Sequence, residues 1–126
     1  PFVSCKTMDE AAQVAGFSMT LPSNVPNWVD TSLIRAVESN MIEVIYQGEQ
    51  EQLTVRKAVG TEDISGDFTA YSDVNTEEVK DLSVTMKGNN GKVMVAAWTD
   101  GSYTYAVRIT TGLEHDSLVD IVSSIQ

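Results

Sequence analysis

His115 is the single histidine in this chain, so any catalytic triad must use it. A triad base has to meet both a nucleophile and an orienting acid. Asp116 and Ser117 follow it directly, but consecutive helix positions do not converge, and no Gly-x-Ser-x-Gly elbow occurs. His115 reads as an exposed first-turn residue. Cys5 is the single cysteine, which rules out an intramolecular disulfide and a cysteine-based metal site. It reads as a small half-buried thiol at the core's edge; no apolar segment precedes it to support lipid attachment. The acids Glu62, Asp63, Asp67, Asp73, Glu77, Glu78 and Asp81 cluster in the middle of the chain. Calcium would use such oxygens, but the spacing is not that of an EF-hand. They read as a solvated acidic surface. A glycosidase pair depends on a separation in space that sequence does not give. Trp98, Tyr103 and Tyr105, with Trp28, form an aromatic group. Exposed, these rings would stack a sugar or a peptide; packed, they fill the space between sheet and helices. No phosphate loop, dinucleotide fingerprint or basic patch is present. The sequence thus predicts no enzyme, no cofactor, no metal and no catalytic residue. Trp28, Trp98, Tyr103 and Tyr105 are the candidate ligand or partner surface.

The elements that would position these residues fit one domain over residues 1–126. Of the residues, 42% are hydrophobic, which supplies a globular core and argues against disorder. The formal net charge of −10 repels phosphate backbones and anionic lipid, so nucleic acid is not an expected partner. No apolar run approaches the ~18–20 residues of a membrane span; the longest, 93–98, reads as a strand. Opening on Pro1 rather than Met, the chain reads as processed, with any targeting segment already removed.

A capping box of Thr7 and Glu10 opens a helix over 7–15, with Met8, Ala11, Ala12 and Ala15 as its apolar stripe and Gly16 as its stop. Residues 17–21 alternate like a short edge strand. Pro22 and Pro26 force an irregular stretch to Trp28. Strands follow over 32–39, 41–47 and 52–59, the last with Leu53, Val55 and Val59 on one face and Lys57 between them. A polar loop covers 60–67. Residues 68–78 are ambiguous between loop and strand. A strand over 79–87 leads to the turn Gly88-Asn-Asn-Gly91. Residues 92–98 are apolar on both faces, as in a covered central strand. Asp100-Gly101 marks a hairpin into a strand from Tyr103. Leu118, Ile121, Val122 and Ile125 stripe a last helix over 115–125, with a cap at Glu114 and a staple between Leu113 and Leu118. Strands and helices do not alternate. The expected class is α+β: one curved antiparallel sheet of about six to eight strands, with the N- and C-terminal helices on one face.

Several stretches carry a resemblance: Val84-Thr-Met-Lys-Gly88, Val93 through Ala97-Trp98-Thr-Asp-Gly101, Tyr103-Thr-Tyr105, Leu113 to Leu118, and Ser124-Ile125. With Asp9-Glu-Ala-Ala12, Gly16-Phe17 and Leu21-Pro22, the chain resembles an uncharacterised domain family of Gram-positive bacteria. Its members occur in lipoproteins and in the outward-facing parts of membrane-anchored sigma-factor regulators. The resemblance implies an extracytoplasmic location, secreted or membrane-anchored, and transfers no catalytic residue. The expected function is a non-catalytic interaction or sensing module of the cell envelope. The expected partner is a protein, peptide or glycan, and the expected state is a monomer. The alternatives are a carrier of a small apolar ligand lined by Met19, Met41, Met86 and Met94, and a hydrolase.

Overall fold

The computed structural model describes all 126 residues. The elements are β1 (Val3–Cys5), α1 (Met8–Ala15), β2 (Thr31–Val37), β3 (Met41–Gln47), β4 (Gln52–Val59), β5 (Asp73–Val79), β6 (Leu82–Asn89), β7 (Lys92–Thr99), β8 (Tyr103–Leu113) and α2 (His115–Ser124). All eight strands form one antiparallel sheet in the order β1-β2-β3-β4-β8-β7-β6-β5. Two meanders, β2-β3-β4 and β5-β6-β7-β8, therefore join where β8 meets β4. Residues 60–72 connect the end of one meander to the far edge of the other. No helix is long and apolar enough to cross a membrane.

Directly paired residues share a sheet face. One row runs Val44, Val55, Val107, Ala96, Met86 across five strands, and all five are buried. They join one cluster with Ala11 and Ala15 of α1 and Leu118, Ile121 and Val122 of α2. Burying each large aliphatic there is worth roughly 1.5–3 kcal/mol. Lys57 shares this face, paired with Ile42 and Tyr105. Its Nζ donates to the Ser18 carbonyl at 2.8 Å and lies 4.4 Å from the Tyr103 ring centroid. Burial lowers its pKa, partly offset by Asp100. The lysine thus fastens the segment after α1 to the sheet.

The opposite face is polar. Arg35, Glu43 and Arg56 are neighbours in one row. Glu43 is 1% exposed, and its two carboxylate oxygens each accept from one arginine. Residues 60–72 bond to this face: Arg56 donates to the Ile64 carbonyl at 2.9 Å, and Thr104 to that of Glu62 at 2.6 Å. Asp67 is not part of a solvated acidic surface, because its side chain is 3% exposed and paired with Arg108. Desolvation would raise its pKa. Hydrogen bonds from Tyr71 and Thr69, with Arg108 nearby, instead hold it down to about 2. A depressed carboxyl stabilises the fold above its unfolded pKa and loses that contribution as pH falls. Asp67→Asn is therefore expected to lower stability at pH 7 and to flatten the loss between about pH 4 and 2, as denaturant titrations across that window would show.

The helix over 7–15 is present with its cap. Thr7 accepts from the Glu10 amide, Gly16 is left-handed, and its amide reaches the Ala12 carbonyl. The Glu10 carboxylate reaches back one residue further than the simple box, to the Lys6 amide. The strands 41–47 and 52–59 have the expected bounds. Three expectations need correction. Residues 17–21 are not a strand: Thr20 exchanges hydrogen bonds with Gln126 and donates to the Ser124 carbonyl, so this segment ties to the end of α2. The strand expected from residue 79 starts at Leu82, because Lys80 and Asp81 both adopt positive φ and form a two-residue turn. The ambiguous stretch contains all of β5 except Val79, and three further residues near the N-terminus form β1.

Candidate functional site

The four candidate aromatics do not form one surface. Trp98 and Tyr105 are 5% and 4% exposed and stack with centroids 5.2 Å apart. The Tyr105 hydroxyl donates to Asp100, and burial with that bond raises its pKa. Tyr103 packs on Phe17, 4.8 Å between centroids. Tyr103 thus meets the segment after α1 while Trp98 lies beside Val122 and Ile125 at the end of α2, and the three rings offer no stacking platform. Trp28 is half-buried and lies at the other end of β8, roughly 25 Å away by strand rise.

Trp28 lines a cleft of about 370 Å³ with Asn24, Pro26 and Asn27 on one side and Thr111–Glu114, Lys92 and Ser117 on the other. Local sequence explains the opening. Against β6, Met94 is an extra residue in β7; against β8 the excess lies on β8, where residues 109–112 stand opposite Met94 alone, between the Val95–Arg108 and Val93–Leu113 pairs. Such a bulge bends the strand and re-aims its neighbours. Gly88 and Gly112 flank it: a Cβ on Gly88 would stand 1.8 Å from the Lys92 carbonyl oxygen, and one on Gly112 2.8 Å from the Met94 sulfur. Gly112 also has a φ of +76°, which favours glycine. The end of β8 thereby departs from β7 and leaves the cleft. Gly48 sets the ring itself, since a Cβ there would be 2.7 Å from Trp28 Cε3.

Glu114 caps α2 by position, but its side chain makes no cap hydrogen bond, so this carboxylate remains available to the cleft it lines. Leu113 and Leu118 are half-buried and buried, as a staple requires. The cleft thus offers an indole, two amides, an ammonium, a carboxylate and hydroxyls. It contains no histidine and no cysteine.

His115 lines a second recess of about 230 Å³ with Asp73, Glu77 and Lys87, which shares Lys92 with the Trp28 cleft. Its Nδ1 meets Asp116 at 2.9 Å and its Nε2 meets Glu77 at 2.5 Å. Both ring nitrogens are engaged by carboxylates, which leaves none to accept a proton from a nucleophile. The hydrogen bonds to Asp116 and Glu77 raise its pKa above the usual 6.5. A raised imidazole pKa strengthens the tie between α2 and β5 at low pH, and the tie fades as pH rises through the raised value. NMR titration of the His115 ring should therefore give a midpoint above 6.5, and Glu77→Gln should bring it down.

No three His, Cys, Asp or Glu side chains are grouped to hold a metal ion. Met19 and Met86 belong to the core cluster, while Met41 and Met94 do not, and no cavity gathers the four. Sequence reasoning singled out Trp28 but missed its cleft partners, because Asn24 and Asn27, Lys92, and Ser117 lie far apart in the chain and meet only in the fold. Compared with protein-family models, curated proteins and solved structures, the chain matches none.

Proposed function

We propose that this domain is a non-catalytic binding module of a bacterial cell envelope and that a saccharide-like ligand sits in the Trp28 cleft. The observation that carries the reading is the lining of that cleft. An indole supplies an apolar face with a polar N–H. The amides of Asn24 and Asn27, the Lys92 ammonium, Glu114 and Ser117 supply donors and acceptors around it. A ring bearing hydroxyl and amide groups complements that mixture. The envelope location rests on the family resemblance, and the acidic surface is compatible with it. The absence of catalysis in this reading rests on the engagement of both His115 nitrogens. The reading also places both helices on one sheet face, supported by their shared cluster with the Val44–Val55–Val107 row.

An N-acetylglucosamine trisaccharide is the probe, since its acetamido groups suit the two asparagines. Calorimetry should show binding that Trp28→Ala abolishes. Gly48→Ala should weaken it several-fold by displacing the ring. Equal binding by the wild-type and Trp28→Ala proteins would remove the cleft from the function.

A further inference from the structure

β5 ends the sheet and pairs with β6 alone. The turn after it fixes which backbone groups are free. Lys80 and Asp81 have φ of 48° and 67°, between the paired residues Val79 and Leu82. In such a two-residue turn the flanking pair exchanges both hydrogen bonds. Alternation then bonds Asp73, Asn75, Glu77 and Val79 to β6, and turns the N–H and C=O groups of Val74, Thr76 and Glu78 outward. The edge is seven residues long, whereas β1 at the other edge has three. A long open edge is a template for another strand.

The side chains select the occupant. Asp73, Asn75 and Glu77 line one face of the edge strand, and Val74, Thr76 and Glu78 the other. Val74 is 58% exposed. The fully exposed Asp116 carboxylate lies beside Glu77 through His115. With a net charge of −10, a second copy is repelled. We infer that the open edge of β5 accepts an extended, basic segment of another protein, alternating cationic and β-branched residues, as a ninth strand. Its cations lie along Asp73 and Glu77, and its apolar side chains along Val74 and Thr76. This surface meets the Trp28 cleft at Lys92, which lines both the cleft and the recess beside Asp73 and Glu77.

The test uses a capped peptide of four Lys-Val repeats and ¹⁵N-labelled protein. Hydrogen exchange at the Thr76 and Glu78 amides should slow at least ten-fold with peptide, while Asn75 and Glu77 change little. Thr76→Pro removes one outward N–H without touching a β6 bond and should weaken binding at least ten-fold. A peptide with proline at its second and third valines should fail on the unaltered protein, which covers the case of a misfolded variant. Shifts spread over the acidic surface, with both proline changes binding equally, would overturn the proposal in favour of general charge attraction. Protection of the same amides in the protein alone, with a dimer mass in solution, would overturn it in favour of a second copy.

Discussion

Gly88→Ala is expected to cost roughly 3 kcal/mol or more. Gly88 is buried in β6 where the register slips against β7, and an added Cβ would lie 1.8 Å from the Lys92 carbonyl oxygen and 3.0 Å from Val93 Cα. Both obstacles are backbone, so no rotamer change relieves the clash. The β6–β7 hairpin has to open, and Trp98 and Met86 pack on that hairpin's buried face. For a domain of this size the loss corresponds to a fall in Tm of roughly 10 °C. Gly91→Ala is a useful contrast: nothing lies within 4 Å of its Cβ, and its only penalty is a φ of +76°. Thermal unfolding followed by near-ultraviolet circular dichroism would rank the two. A Gly88→Ala protein as stable as wild type would show that the bulge is not built around that glycine.

Glu43→Ala should cost about 3 kcal/mol. The carboxylate is 1% exposed between Arg35 and Arg56, whose side chains are 30% and 26% exposed. The partly wet arginines can recover some hydration, which keeps the loss at the lower end for a broken buried pair. Arg56→Ala should cost as much or more, because it leaves one oxygen of the buried carboxylate without its arginine and also frees the Ile64 carbonyl. Replacing Arg35, Glu43 and Arg56 together by methionine, leucine and methionine should recover most of the stability, because no charge is then left to desolvate. Urea titrations of the single and triple variants decide this. A triple variant as unstable as its weakest single variant would mean that the ion pairs contribute net stability over an apolar replacement.

Most of the sheet was legible because its strands follow a period of two with one face apolar. Residues 41–47 and 52–59 have the same bounds in sequence and structure, and Thr7, Glu10 and Gly16 delimit α1 by local chemistry alone. β5 was not legible: in Asp-Val-Asn-Thr-Glu-Glu-Val at the sheet edge only Val79 is buried, so no alternation is imposed on it. The Lys80-Asp81 turn carries neither glycine nor asparagine to announce its positive φ. Phe17 to Leu21 shows the reverse case, an alternation whose backbone bonds go to the end of α2 instead of to a strand. Glu43 is hidden by its apolar flanks, and its partners Arg35 and Arg56 become visible only once three strands are in register. Among the aromatics, ring type gave no means of separating Trp28 at a cleft from Trp98 and Tyr105 stacked within. That difference comes from where the fold places each ring: Trp98 and Tyr105 are a cross-strand pair on the buried face, and Trp28 lies on the irregular segment before β2.

The proposed binding function rests on the Trp28 cleft, and the two indole N–H signals of the ¹⁵N-labelled protein separate that cleft from the core. On titration with the N-acetylglucosamine trisaccharide, the Trp28 signal should move and saturate together with the side-chain amides of Asn24 and Asn27, while the Trp98 signal stays in place. If the Trp28 indole and both amides keep their positions at saturating sugar, the cleft does not bind saccharide and the proposed function is wrong.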